Sequence, residues 1–322
     1  MQVLRSVVRW GFAPFMMIGL TAVAYHIVTH AVTWHDYLWL APLLVFAYAC
    51  AFAAERIAPF FEDWNDHAAH GDTKANLIHT LVYEMSSING VMTIPAIVWL
   101  FPFQGLWPVA WPVWAQLILA FVIADFAFMV IHYFSHRIPL LWRLHAVHHG
   151  AGRLYGFNGV IRHPLHQSVD MILGTMPLVI MGMQMDVAIL LGFLISMTLI
   201  VQHANVDQKL GPLDGYLAIG RAHHLHHVNW GTEGDCNFGL FLGIWDRMFG
   251  TFNAKPSREI TPKDLGVDEI PNFPKSYWEQ LILPFIYKPG QGEPERFRKA
   301  AKSAAQDARE QVSHTGGLHP AE

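Results

Sequence analysis

The chain has 322 residues, of which 53% are hydrophobic and only 14% are charged, and its mean hydropathy is +0.27. About a quarter of the residues of a typical soluble domain are charged, so this composition indicates a membrane protein. The small net charge of -4 does not favour nucleic acid as a partner. Two cysteines, Cys50 and Cys236, are too few for the four thiolates of an ordinary iron–sulfur cluster.

Apolar runs predict membrane helices in chain order. Four runs approach or exceed the length of about 20 residues that a spanning helix needs, at 11–31, 37–54, 77–101 and 109–131. A shorter pair, 168–183 and 187–202, predicts either a tight spanning hairpin or a re-entrant one. The expected fold class is all-α, an integral membrane helical bundle of four to six membrane segments with a histidine-rich cap.

Basic residues predict the orientation of these segments. Lys and Arg occur before the first segment, after the second, after the fourth and after the last, whereas the intervening loops have none. By the positive-inside rule, the N-terminus and the histidine-rich loops are cytoplasmic. This pattern and the compact length fit a bacterial inner membrane, which is the expected location.

Nine histidines form three tight clusters along the chain. Neutral imidazole is a common ligand for transition metals. The clusters read HxxxH, HxxHH and HHxHH, and they comprise His132 and His136, then His145, His148 and His149, and finally His223, His224, His226 and His227. This number of imidazoles exceeds the four ligands of a structural zinc site and predicts two ions with open positions.

The spacing within the clusters predicts which side chains converge. His132 and His136 are four residues apart and share one helical face. His145 and His148 are three apart and can converge on one metal, whereas His149 suits a second metal or a helix end. The third cluster repeats the HxxHH spacing at His223, His226 and His227, so that His224 is expected to support the ligands or to face solvent.

Other polar residues near the clusters have open roles. Asp125 lies two helical turns before His132, and it is expected either to bind metal or, preferably, to accept a hydrogen bond from a ligating histidine. His203 follows the last apolar run and is equally interpretable as a ligand or as a structural residue. Supporting roles around the site are open for His163, His166 and Asn205.

Several motifs together resemble one known family. The stretch 125–149, with Arg-His-Pro-Leu at 162–165, Gln-His-Ala-Asn at 202–205, Asp-Cys-Asn-Phe-Gly at 235–239 and Trp-Asp-Arg-Met-Phe-Gly-Thr at 245–251, resembles the fatty acid hydroxylase/sterol desaturase superfamily. The resemblance covers about residues 115–255. It implies a non-haem di-iron enzyme that uses dioxygen and electrons to hydroxylate or desaturate a lipid, whether a sterol, a fatty acyl chain, an ether lipid or an aminolipid.

The resemblance also implies the site and its partners. The implied iron ligands are His132, His136, His145, His148, His149, His223, His226 and His227, with His203 as a further one. A lipid in the bilayer is the expected substrate, and a separate ferredoxin or cytochrome b5-like protein with its reductase is the expected electron donor. The expected domains are N-terminal membrane helices at 1–108, a catalytic domain at 109–255 and a polar cytoplasmic tail at 256–322.

Three other classes of protein can also use many histidines. A histidine-rich metal transporter would hold its ligands near the bilayer midplane, whereas these clusters follow the helix ends. A zinc-dependent hydrolase would usually have a glutamate beside its ligands, and no histidine cluster here contains one. A bis-histidine haem protein would need facing histidines within the membrane helices, and no such pair is clear.

Overall fold

The protein is described by a computed structural model over residues 1–101 and 105–295. The predicted all-α class is confirmed, because these residues form helices and loops with only isolated β-bridges. In chain order the helices are α1 (Gln2–Thr29), α2 (Trp34–Ile57), α3 (Thr73–Met92), α4 (Ile94–Leu100), α5 (Val113–Arg137), α6 (Pro139–His149), α7 (Pro164–Gly174), α8 (Met176–Ile180), α9 (Met185–His203), α10 (Arg221–His226), α11 (Ile244–Phe249) and α12 (Tyr277–Ile286).

Local variants of the helix occur within and between these elements. α1 contains a π-helical stretch, Phe15–Leu20, and α2 begins with a 3₁₀ segment, Trp34–Trp39. The connecting loops contain one turn of α-helix, His67–His70, and short 3₁₀ segments at Glu62–Asn65, Asn158–Val160, Gly211–Leu213 and Gly231–Gly234.

Four helices are long and apolar enough to cross a membrane, namely α1, α2, α5 and α9. α3 and α4, which are bent by 40° at their junction, form a fifth span if they act together. The predicted segment 168–183 is instead divided between the short helices α7 and α8, neither of which reaches spanning length. The molecule is therefore a multi-pass membrane protein with four or five spans in the described part of the chain.

α9 is the central helix of the bundle. In its most apolar window 72% of the residues are buried within the protein, against 22–39% in α1, α2 and α5. An apolar helix in a membrane protein can be covered by other helices or can face lipid. Other helices cover most of α9, whereas α1, α2 and α5 leave more of their surface free to face lipid. α9 ends at His203, so the buried axis of the bundle leads directly to the histidine-rich cap.

Two buried polar side chains fix the cap to the bundle. Glu55, near the end of α2, accepts hydrogen bonds from the backbone N–H groups of Gly156 (2.7 Å) and Asn205 (3.1 Å). The Asn205 side chain in turn pairs with the backbone of Phe61, accepting at 2.9 Å and donating at 2.8 Å. Asn205 therefore holds the loop after α2, and its side chain forms no hydrogen bond with a clustered histidine of the described residues.

The polar C-terminal region is folded over the part that the structure describes. Val267, Ile270, Leu283 and Tyr287 are buried in one apolar cluster with Val147 of α6. The predicted polar tail at 256–322 thus includes residues that pack on the catalytic part of the chain, while residues 296–322 lie outside the described part. The sequence does not show this packing, because the few apolar residues that form it are widely spaced within a polar region.

Candidate metal centre

The nine histidines implied as ligands lie in two buried groups. The first group contains His132, His136, His145, His149 and His226, and the second contains His148, His203, His223 and His227. Within each group, one ring nitrogen of every residue lies within 4.8 Å of the others. α5, α6, α9 and α10 supply all the rings except that of His227, which directly follows α10.

The pairing within the second sequence cluster differs from the prediction. His145 joins His149, with 3.1 Å between their Nε2 atoms, and His148 belongs to the other group. An HxxHH sequence contains both an i,i+3 pair and an i,i+4 pair, and on a helix these lie about 60° and about 40° apart. Spacing alone does not choose between them, and here the position of α6 between its neighbours selects the i,i+4 pair.

The third sequence cluster is divided in the same way. His223 and His227 face each other in the second group, with 3.0 Å between their Nε2 atoms, whereas His226 points into the first group. Each HxxHH sequence thus contributes to both groups. The predicted pairing of His145 with His148 therefore differs from this arrangement, in which two sets of imidazoles converge among the described residues.

Hydrogen bonds at Nδ1 determine where lone pairs point in the second group. The Nδ1 atom of His148 lies 3.0 Å from the carbonyl oxygen of Ile161, and that of His203 lies 2.9 Å from the carbonyl oxygen of Leu199. A carbonyl oxygen only accepts, so both protons sit on Nδ1 and both Nε2 atoms of the neutral rings are bare. These two Nε2 atoms face each other at 3.2 Å. Two lone pairs at this distance repel unless a cation lies between them.

The first group shows the same arrangement. The Nδ1 atoms of His132 and His226 bond the carbonyl oxygens of Phe238 (2.9 Å) and Cys236 (2.8 Å). Their Nε2 atoms are buried without a hydrogen-bond partner. Metal–nitrogen bonds of about 2.0–2.1 Å place neighbouring ligand nitrogens at about 3 Å, so both groups fit a metal ion.

Burial keeps the cap histidines neutral. Removal from water lowers the pKa of six imidazoles on and next to α6 and α10 well below its usual range, and the neighbouring histidines lower it further. These six are His145, His148, His149, His223, His226 and His227. A neutral imidazole retains the lone pair that a metal ion requires.

Asp235 orients one histidine of the first group. Its Oδ1 atom lies 2.9 Å from Nδ1 of His136, and its other oxygen lies 3.7 Å from the guanidinium of Arg137. A carboxylate at the outer nitrogen fixes the tautomer of a ligating histidine and increases its basicity. Sequence reasoning assigned this role to Asp125 and missed Asp235, although Asp235 begins one of the motifs that carried the family resemblance.

Asp125 instead holds a loop. Its carboxylate accepts hydrogen bonds from the backbone N–H of Phe241 (2.7 Å), from that of Leu242 and from the indole N–H of Trp245 (2.7 Å), and no histidine contacts it. The same loop carries the carbonyl of Phe238 that fixes His132. The expected hydrogen bond from Asp125 to a ligating histidine is therefore wrong, and its influence on the site is indirect.

The remaining candidates divide between the site and the scaffold. His163 caps the start of α7 by accepting from the N–H of Leu165 at 3.2 Å, and His224 is buried against the rings of Phe60 and Trp64. Neither belongs to a metal-binding group among the described residues. His166 lies at the edge of the site, where its ring centroid is 4.8 Å from that of His145.

A small cavity lies beside both histidine groups. Its volume is about 20 Å³, which is room for about one water or dioxygen molecule. Its lining includes the apolar side chains of Phe128, Phe238 and Leu240, the polar network of Arg162, His166 and Asp170, and the rings of His132, His145, His148 and His223. Sequence reasoning missed Arg162 and Asp170 as lining residues.

The network of Arg162, His166 and Asp170 contains an ionised carboxylate. Arg162 and His166 both contact one carboxylate oxygen of Asp170, and the Nε2 atom of His166 lies 2.9 Å from the Ser135 hydroxyl. Burial alone would raise the pKa of the Asp170 carboxyl, but His166 and Arg162 hold it below its usual value. Asp170 is therefore ionised, and it adds a fixed charge to the lining of the cavity.

Comparisons with known proteins agree with this site. The family model described as "Fatty acid hydroxylase" matches residues 117–251. Ornithine lipid hydroxylase OlsE of Rhizobium tropici is 31% identical over 268 residues, which are 79% of this chain and 76% of that protein. Alkylglycerol monooxygenase of Danio rerio is 30% identical over 48% of this chain and 33% of its own length, and the Homo sapiens protein is 28% identical over 44% and 31%. No solved structure gives a significant match.

Proposed function

The chain belongs to the fatty acid hydroxylase family, and from that premise we propose that it is a membrane-bound di-iron oxygenase that hydroxylates an aminolipid. The observation that carries the metal part of this proposal is the pair of bare Nε2 atoms of His148 and His203, which face each other at 3.2 Å. The aminolipid class is supported by the relative of Rhizobium tropici, whose match extends over most of both chains.

Each histidine group is proposed to hold one iron. Imidazole suits iron, zinc, copper and nickel, and iron is the choice that an oxygenase requires. When bound, the two irons supply the reductive activation of dioxygen that is needed to oxidise an unactivated C–H bond. The proposed ligands are the five histidines of the first group and the four of the second.

The chain's own residues would position the ligands and keep water out. Backbone carbonyls hold the proton of His132, His148, His203 and His226 on Nδ1, so that Nε2 points inward. Phe128, Phe238 and Leu240 make one wall of the cavity apolar. The Arg162–Asp170–His166 network adds a polar part to the lining, from which Arg162 can donate a hydrogen bond to a small oxygen ligand.

The proposed reaction needs electrons from outside the chain. Hydroxylation converts R–H, O₂, two electrons and two protons into R–OH and water. We propose a separate donor of the ferredoxin or cytochrome b5-like type, with its reductase, that docks on the cytoplasmic face. The cytoplasmic location of the histidine groups is supported by the basic residues of the loops on that side.

The alternatives are not favoured. The relatives are named as hydroxylases and monooxygenases, and none of those reported is named as a metal transporter or a zinc hydrolase. The described histidine groups also lie at the ends of α5 and α9, whereas transporters usually hold their ligands near the bilayer midplane.

The test is to express the chain in a bacterial host that makes ornithine lipids and to examine its lipids under ¹⁸O₂. The expected result is an ornithine lipid heavier by one labelled oxygen atom, together with two irons per chain and no haem band in the purified protein. A His148→Ala, His226→Ala double variant serves as the inactive control. Iron-loaded protein that is supplied with a reductase and a donor, yet labels no lipid, would overturn the function.

A further inference from the structure

α12 carries an apolar stripe that no described part of the chain covers. Tyr277, Gln280, Leu283 and Pro284 are buried on its inner face. The outer face is formed at positions i, i+4, i+7 and i+8 by Trp278 (69% exposed), Ile282 (39%), Phe285 (64%) and Ile286 (38%). Large apolar side chains at this spacing form one continuous stripe along a helix.

Contacts of its inner face hold α12 beside two other helices, α6 and α3. α12 packs on α6, which carries three of the histidines. It also contacts α3, where Nε2 of His79 lies 2.7 Å from the Gln280 side-chain oxygen and the ring of His79 lies against that of Tyr277. The hydrogen bond between His79 and Gln280 therefore helps to hold α12 against the first turns of α3.

The apolar stripe continues onto a surface that faces lipid. Phe285 lies beside the ring of His163, with 6.0 Å between the ring centroids, and α7, which begins at the next residue, exposes Leu165 (51%), Ile172 (50%) and Leu173 (55%). The stripe of α12 thus adjoins the exposed apolar face of α7, which packs on the membrane span α5. Trp278 suits the boundary between headgroups and acyl chains, where tryptophan is enriched. Lys288, exposed just beyond the end of α12, suits anionic headgroups.

We propose that α12 lies in the headgroup–acyl boundary of the bilayer, with its stripe of Trp278, Ile282, Phe285 and Ile286 inserted among the lipids. The occupant of this face is the membrane, because the face adjoins the exposed apolar face of α7, which packs on the span α5. In this position α12 holds α6, and with it both histidine groups, at the height of the lipid headgroups. The inference depends on the membrane location of the protein and not on the proposed reaction.

The test measures the depth of single labels in nanodiscs that hold one chain each. Cys50 and Cys236 are replaced by alanine, Phe285→Cys carries an environment-sensitive fluorophore, and Lys255→Cys, on an exposed loop of the cap, is the matched control. We expect lipids brominated on the acyl chain to quench most of the emission at position 285 and little at position 255. Iodide in the water should show the opposite preference. Trp278→Cys repeats the measurement if the first variant does not fold.

Two results would overturn the proposal. Iodide quenching at position 285 that equals the quenching at position 255, without quenching by bromolipids, would place the stripe in water. Shielding from both quenchers would mean that protein covers it, either a segment of this chain in one-chain discs or a second copy in discs that hold two.

Discussion

At the scale of single residues, the site is organised by hydrogen bonds on the side of each imidazole that faces away from its group. A carbonyl oxygen or a carboxylate at Nδ1 leaves Nε2 unprotonated, and this applies to His132, His136, His148 and His226. The direction in which a lone pair points therefore depends on backbone carbonyls that are far away in sequence. The Cys236 carbonyl, for example, is ten residues from His226.

Replacing adjacent histidines of the third sequence cluster should separate a ligand from a core residue. His223→Ala removes one of the four imidazoles of the second group, and we expect the iron content to fall from two to about one per chain and activity to fall by at least about 100-fold. The measurement is elemental analysis of purified protein, paired with turnover.

His224→Ala is the matched control, since His224 is equally buried but lies against Phe60 and Trp64. It should lower thermal stability by leaving a cavity, yet keep two irons per chain. Loss of iron from the His224 variant, or full retention in the His223 variant, would contradict the assignment of the second group.

At the scale of elements, the loop between α10 and α11 supports the first histidine group. Asp125 holds it from α5, and Asp246 holds it from α11 by accepting from the N–H groups of Phe238 (2.8 Å) and Gly239 (2.7 Å). Asn237 has a left-handed backbone with φ of 55°. Gly239 has no room for a side chain, because a Cβ atom would lie 2.7 Å from the Leu242 carbonyl oxygen.

Asp125→Ala should loosen this loop without removing a ligand. It leaves two backbone N–H groups and one indole N–H without their acceptor, which should cost about 2–3 kcal/mol of stability. We expect a lower melting temperature, faster loss of iron to a chelator and an initial content that still reaches two irons.

Asp186→Ala is the matched control for this variant. Asp186, at the start of α9, accepts a single side-chain hydrogen bond, from Tyr37 at 2.9 Å. It should change the rate of iron loss little. An Asp125 variant that never acquires the second iron would instead indicate that Asp125 is itself a ligand.

At the scale of the whole molecule, the two groups join helices that are distant in sequence. The first connects α5, α6 and α10, and the second connects α6, α9 and α10. Bare Nε2 atoms that face one another destabilise the bundle when no cation separates them. An ion bound only by the folded state stabilises that state by mass action, by about 2.7 kcal/mol at one hundred times its dissociation constant.

Removing the metal should therefore weaken the whole cap. Chelation under reducing conditions is expected to lower the melting temperature of the detergent-purified protein by several degrees. Ferrous iron should restore it, and magnesium, which prefers oxygen ligands, should not. An unchanged melting temperature after complete iron removal would contradict a cross-linking role for the two ions.

Sequence by itself determined the four long spans and the nine clustered histidines, because apolar length and imidazole number are local properties, but it wrongly suggested a further span at 168–183. It did not determine how the clusters divide, because His145 has suitably spaced partners in both His148 and His149. Nor did it show the real partners of Asp125 or the packing of α12 on α6. Only the tertiary structure decided these points, since each depends on which face of a helix meets a neighbour from elsewhere in the chain.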